Sequence, residues 1–431
     1  MTLSLLAGNS ILRLFLLWDN SKIKTGFRWE RIEQEMNSKK LTAQCAVLQG
    51  SYWVAVCAIN GFATVFLLHI GLKSSQIGVV LALGNILGVI LQPFVAAAAD
   101  RAKRVTLQQM TAGMAIAIIL LLILMQCMSK MVPGIVLSFL IVNMLLQVVQ
   151  PLINSISLYY VNHGIYVDFG IGRGVGSASY AVAASFLGIL IGRYYGLAIM
   201  GVGCLSFAVM FVTLISMPVV KDPNESKKEE QKNTANRQRG GGILEFACRY
   251  RNYMLVLLGM ILIYVESTYV NNYLINIVVS LGGDIKRMGT LLTVSAMSEL
   301  PTMLLFSRLV GKWDSRKLIR FAAVMFSVKA LGYLVCGSIS FLYVVQMLQM
   351  LSFALCLPSA VYYVNETMAV EDRVKGQSLL IASSTMGGVF GSLSGGVLVD
   401  FAGIKAMLAT GLGLSMIGTA IVCIFVSRKD N

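Results

Sequence analysis

From residue 42 onward the apolar positions run in blocks, with none of the alternation of a half-buried strand. The blocks span roughly 42–69, 76–98, 107–128, 132–160, 170–191, 196–217, 253–280, 288–309, 319–337, 341–364, 376–399 and 404–426. Each is near the twenty residues that a helix needs to cross the hydrocarbon of a bilayer. The pattern predicts an all-α membrane protein with twelve transmembrane helices. It excludes a transmembrane barrel, whose strands alternate and are far less continuously apolar. The longest polar interruption, KDPNESKKEEQKNTANRQRGGG at 221–242, is charged, almost free of apolar residues and ends in three glycines. That composition predicts a flexible linker. The expected organisation is an N-terminal segment at 1–41, a six-helix bundle at 42–218, a linker at 219–250, a second bundle at 251–426 and a tail at 427–431.

Composition agrees with that reading. The chain is 57% hydrophobic and 13% charged, against about 25% charged in ordinary soluble domains. A formal charge of +15 would suit nucleic acid, but its placement does not. With both termini in the cytoplasm, the cytoplasmic segments hold 27 of the 35 Lys and Arg. The outer loops hold six: Lys73, Lys130, Arg193, Lys286, Arg287 and Lys405. This asymmetry is the positive-inside rule. It predicts a multi-pass protein of the cytoplasmic membrane and no nucleic-acid partner. The eight cysteines lie mostly in apolar runs without close pairs or metal-type spacing, so neither disulfides, a metal site nor another cofactor is expected. Residues 1–40 include LSLLAGNSILRLFLLW, too short to span. It reads either as an interfacial helix or as sequence ahead of a start at Met36.

Faint repetition links the halves. ADRAKR follows the second span, with Asp100, Arg101 and Arg104, and GKWDSRK follows the eighth, with Asp314. Arg173-x-x-Gly176 opens the fifth span as Arg373-x-x-Gly376 opens the eleventh. Two six-helix bundles related by a pseudo-twofold axis, with a site between them, fit this pattern. The competing reading is that short basic turns simply recur on one face.

A charge in mid-bilayer costs about 2.5–3.5 kcal/mol on insertion scales and marks a cavity or a partner. Glu266, Glu299 and Lys329 lie deep in the seventh, eighth and ninth spans, and Arg173 lies near the start of the fifth. Asn143, Gln147, Gln150 and Asn154 share one face of the fourth span. Glu266, Tyr269, Asn272, Tyr273 and Asn276 fall within about 120° of the seventh at 100° per residue. Gln346 and Gln349 lie in the tenth, and Gln49, Tyr52 and Asn60 in the first. Any one amide is as well explained by helix-to-helix hydrogen bonding. Stripes on several helices of both halves point to a shared aqueous cavity.

The stretch FGIGRGVGSASY, residues 169–180, invites a phosphate-binding reading. It lacks glycines at i, i+2 and i+5 and has no following lysine, so the dinucleotide fingerprint and the P-loop both fail. Its small residues, Gly170, Gly172, Gly174, Gly176 and Ser177, instead suit close approach of a neighbouring helix. That approach would carry Arg173 toward the cavity. The alternative is that Arg173 is one more cytoplasmic positive charge.

These segments together resemble the lactose-permease-like branch of the major facilitator superfamily, the oligosaccharide:proton symporters and their nucleoside and phenylpropionate-type relatives. GFATVFLLHIGLKSSQIG and LQPFVAAAADRAKR resemble its first two helices and signature loop, with Ala96 and Lys103 in place of two usual glycines. FGIGRGVGSASY resembles the helix-five motif, SELP the helix-eight motif and FSVKALG the helix-nine segment. The likeness implies that Arg173 contacts substrate, that Tyr180 stacks on it, and that Glu299 binds substrate and helps couple protons, with Lys329 where those permeases carry an arginine. It implies a monomer and a gate at Asp100, Arg101, Arg104, Asp314 and Arg373. It also marks departures. Gln346, Gln349 and Ser352 stand where helix ten of the lactose permeases carries a lysine, a histidine and a glutamate. Ser267, Val270 and Ser384 replace partner charges.

The expectation is a secondary transporter of a small polar organic solute, a sugar or a nucleoside, working by alternating access with proton coupling. Arg173, Tyr180, Glu299, Asn272, Gln349 and Asn154 are the candidate substrate contacts. Glu299, Lys329 and Glu266 are the candidate proton-coupling groups. The alternatives are a proton-driven exporter of amphipathic compounds and a non-transporting membrane sensor. An enzyme is not expected, because His69 and His163 lie at opposite faces with no nucleophile–base pair. Asp168, near His163 in sequence, reads as a helix cap.

Overall fold

A computed structural model describes residues 38–101, 105–128, 131–162, 165, 167–218 and 243–426. The N-terminal segment before residue 38, most of the linker and the tail at 427–431 lie outside the described residues, as does His163. Among the described residues the regular elements are all helical. Eleven helices are long and apolar enough to cross a membrane, and the last of them, Arg373–Phe425, is 53 residues long. Gly403 breaks it at φ 82° and ψ 171°, a conformation that only glycine adopts at little cost. It is therefore two crossings joined without a loop, and the total is twelve.

The first bundle begins with α1, which runs from Ser38 to Gly61 and continues as Ala63–His69. It goes on through α2 (Ser74–Arg101), α3 (Leu107–Cys127), α4 (Val132–Asn162), α5 (Phe169–Tyr194) and α6 (Gly196–Ser216). The second comprises α7 (Arg251–Asn272, continued by Leu274–Ser280), α8 (Ile285–Lys312) and α9 (Ser315–Val335). It ends with α10 (Ile339–Met347 and Phe353–Thr367 across a 3-10 turn, Leu348–Met350), α11 (373–402) and α12 (404–425). Leu304 and Phe401 are 80% and 85% exposed. They are two of many large apolar side chains exposed along the spans, a surface suited to lipid contact.

Local chemistry sets several ends. Asp314 accepts from the Arg316 N–H at 3.0 Å and starts α9 four residues earlier than hydropathy places it. Asp168 accepts from the Ile171 N–H at 3.0 Å, the capping role expected of it. The linker also ends sooner than expected, because Ile243–Arg249 is helical. Phe246 is buried there, and Arg249 pairs with Asp372 at 3.3 Å.

The two halves meet at the face away from the chain's ends. On that side α5 crosses α8 where a Cβ on Gly188 would fall 3.0 Å from the Cα of Gly289. Ser185 and Thr293 are 2.7 Å apart, and Thr293 also donates to the Ala181 carbonyl at 2.7 Å. Thr64 of α1 donates to the Asn272 carbonyl of α7. The Tyr273 hydroxyl donates to the Ser392 carbonyl at 2.7 Å and reaches the Ser74 carbonyl of α2 at 3.4 Å. The hydrogen bonds between halves among the described residues lie in this end of the bundle.

Candidate substrate-binding site

Arg173 lies one turn into α5. Its guanidinium carbon sits 4.3 Å from the centre of the Trp53 ring on α1. The approach depends on Gly176, since a Cβ there would fall 2.5 Å from Trp53 Cδ1. The opening stretch therefore works as helix-packing surface at Gly176. Gly174 faces open space and Gly170 is exposed, so the expectation of close packing fails at those two. Stacking on the indole costs Arg173 none of its in-plane donors. Its Nη1 is buried and has no hydrogen-bond partner. A buried, unmet charged donor is costly unless something else fills it.

Tyr180 stands two turns along the same helix, its ring edge-on to Trp53 with centroids 6.4 Å apart. A Cβ on Gly61 would fall 3.0 Å from its hydroxyl. Gly61 closes a π-helical stretch, Cys57–Gly61, a distortion frequent at functional sites. Beside Arg173, the Gln49 amide donates to Asn154 Oδ1 at 2.8 Å. Farther along α4, Gln147 donates to Asn85 of α2 at 2.9 Å. These amides hold α1, α2 and α4 together, which is the gluing role weighed for single amides.

The second half presents a chain of charges. Lys329 of α9, buried, donates to Gln349 Oε1 of α10. The Gln349 amide N–H in turn donates to Glu299 Oε1 of α8 at 3.0 Å. The order is forced: an ammonium only donates, a carboxylate only accepts, and an amide does both. The 3-10 turn Leu348–Met350 sets Gln349 at this point of α10. Thr302 ties α8 to that turn through the Met350 carbonyl at 2.8 Å. Glu266 of α7 is 3% exposed and lies within electrostatic reach of Lys329. Lys329 is also 5.8 Å from the centre of the Tyr333 ring. No carboxylate lies within ion-pair distance of Arg173 or Lys329 among the described residues. Arg173 and Tyr180 lie within electrostatic reach of Glu299 across the gap between the halves.

Arg173, Tyr180, Glu299, Gln349, Lys329 and Glu266 are thus brought to one region, with Asn154 at its edge. Asn272 is not. Its amide donates to Ser392 at 2.8 Å in the closed end. Asn272 shares the continuous stretch Arg251–Asn272 with Glu266 but lies six residues, about 9 Å, farther along the axis, just before the helix breaks at Tyr273 with φ −109° and ψ 23°. Two of the residues expected to form a gate are held within their own half. Asp314 caps α9, and Arg373 donates to the Met368 carbonyl at 3.3 Å. Asp100 and Arg101 end α2; their side chains, and Arg104, lie outside the described residues. Trp53 is the contact of Arg173 that sequence reasoning left unassigned.

Twelve membrane-crossing helices in two bundles, with the family and relatives that follow, make this chain a secondary transporter. The sequence profile of the MFS_1 like family matches residues 50–409, and the chain belongs to that family. It is 24% identical over 369 residues to the maltose permease of Geobacillus stearothermophilus, covering 83% of this chain and 87% of that protein. Among solved structures, the nucleoside transporter NupG superposes with a TM-score of 0.72 at 14% identity, covering 89% of this chain and 98% of that one. A bacterial homologue of the iron transporter ferroportin, in its inward-facing state, gives 0.65 at 12% identity, covering 90% and 99%. These likenesses to solved structures establish the fold alone.

Proposed function

We propose that this transporter carries a small hydroxylated solute, a sugar or a nucleoside, across the cytoplasmic membrane in symport with protons. One observation carries the reading: a buried guanidinium nitrogen without a partner, beside two aromatic rings and facing a carboxylate in the other half. A sugar or ribose hydroxyl can accept from Arg173 and donate to Glu299 at once, which a simple anion cannot do. The maltose permease and NupG, whose names specify a sugar and nucleosides, support that substrate class. Lys and Arg clustered on the terminal face support cytoplasmic termini, which would put the face where the halves bond each other on the outside. The chain acts as a monomer.

Asp100, Arg101, Arg104, Asp314 and Arg373 would draw the terminal face together when the halves rock, and the site would then open on the other side. Glu299 would carry the proton. Here Gln349 links it to Lys329, whose charge favours the carboxylate. When rocking weakens that link, a buried carboxyl is more stable protonated than charged.

The test is transport in proteoliposomes, using radiolabelled disaccharides and nucleosides as the panel. Wild type should accumulate one member against its gradient when an inward-directed proton gradient is imposed. Arg173→Ala should abolish both accumulation and counterflow. Glu299→Gln should abolish accumulation and retain counterflow. Unchanged transport in Arg173→Ala would remove the substrate site, and unchanged gradient dependence in Glu299→Gln would remove the proton carrier.

A further inference from the structure

The described helices with a side-chain cap at their N-terminus mostly supply it themselves. Thr106 caps α3, Asp168 caps α5, Asp284 caps α8, Asp314 caps α9 and Ser338 caps α10. Helix α2 differs. Its first intrahelical bond runs from the Ile77 N–H to the Lys73 carbonyl at 3.0 Å, so Lys73 holds the cap position. Half of a capping box is present, since Gln76 Oε1 accepts from the Lys73 N–H at 2.9 Å. The other half needs an acceptor on the cap residue, and a lysine side chain has none.

The missing acceptor comes from the other bundle. Asp400, at the far end of α11, takes the Ser75 N–H at 2.7 Å on Oδ2 and the Ser74 N–H at 3.1 Å on Oδ1. One carboxylate thus closes two of the orphan donors at the positive end of a helix dipole in the opposite half. The contact spans 325 residues of sequence, and rocking of the halves cannot preserve it. Beside it, Tyr273 reaches the Ser74 carbonyl.

We infer that Asp400 is a gating residue, a cap donated across the two halves that latches the face away from the termini and must be released each time that face opens. A helix that capped itself would leave this face indifferent to where α11 stands. Helix α2 instead keeps its first turn satisfied only while the site is shut on this side. The inference rests on the alternating-access reading, though not on the identity of the substrate.

The test is a distance measurement in the ligand-free protein. Spin labels go at Met131 and Lys286, both exposed on that face and one in each half, in a background with the native cysteines replaced. Wild type should give one short distance. Asp400→Ala should shift the equilibrium toward a longer one by about fivefold to thirtyfold, the ratio that corresponds to one or two kcal/mol. Asp400→Asn, the milder change, should shift it less, and Asp400→Glu should stay near wild type. Lys73→Asp combined with Asp400→Ala restores a cap within α2 without restoring the tie between halves, so the longer distance should persist. A wild-type distribution in both Asp400→Ala and Asp400→Asn would overturn the latch. Recovery of the short distance in the double variant would also overturn it, by showing that only helix stability was at stake. Because no solute is present, failure here is distinct from failure of the proposed substrate site.

Discussion

The two bundles share a fold but not a chemistry. On the side of the first, the site is one cation stacked on an indole, flanked by a tyrosine and by neutral amides that bond each other. On the side of the second, Lys329 and Glu299 are joined through a single amide, and a third ionisable group, Glu266, is buried within electrostatic reach of Lys329. The first arrangement offers directional donors and flat apolar surface, which suits selection of a solute. The second holds charges that must remain balanced with one another as their surroundings change. Similar six-helix halves can therefore divide recognition from energy coupling, provided that they meet across a gap.

The sharpest way to break this division is to remove Lys329. Lys329→Met leaves Glu266 and Glu299 without their buried cation, and breaking a buried charge network costs about 3–5 kcal/mol. The thermal midpoint in detergent should fall by the largest margin of any single change discussed here. Adding Glu266→Gln should recover part of the loss. Equal stability of the single variant and wild type would show that the second half is not charge-balanced in this way.

A smaller effect should follow from Trp53→Ala, which removes the ring behind Arg173 and leaves the charge. With a cation–π contact worth about 1 kcal/mol, ligand affinity should weaken about fivefold, and Trp53→Phe should weaken it less. The effect should appear in binding of the transported solute and leave proton dependence unchanged. If Trp53→Ala alters proton dependence instead, the two halves are not separable.

The smallest change is Asn154→Ala, which deletes one interhelical hydrogen bond, worth about 0.6 kcal/mol on average in membranes. Affinity should shift by threefold or less. A loss as large as that of Arg173→Ala would make Asn154 a direct substrate contact rather than a brace for Gln49.

What was legible in the sequence follows the same physics. Span positions could be read because a bilayer demands uninterrupted apolar length, and Arg173, Glu299, Lys329 and Glu266 could be read because charge inside such a run is conspicuous. Trp53 could not, since an aromatic residue in a membrane span is ordinary until Gly176 is seen to admit its ring. Periodicity on α7 gives a shared face but not depth along the axis, and Asn272, six residues beyond Glu266, bonds Ser392 in the closed end. The tie between Asp400 and α2 was equally hidden. Nothing local marks an acid that caps a helix in the other half, although a lysine at the cap position of α2 is the trace it leaves.

Gln349 has one more consequence. A carboxamide neither gains nor loses a proton near neutral pH, so it passes polarity between Lys329 and Glu299 while insulating them from proton exchange. The bridge therefore behaves as a dielectric spacer: the two ionisable groups sense each other's charge without exchanging a proton through it.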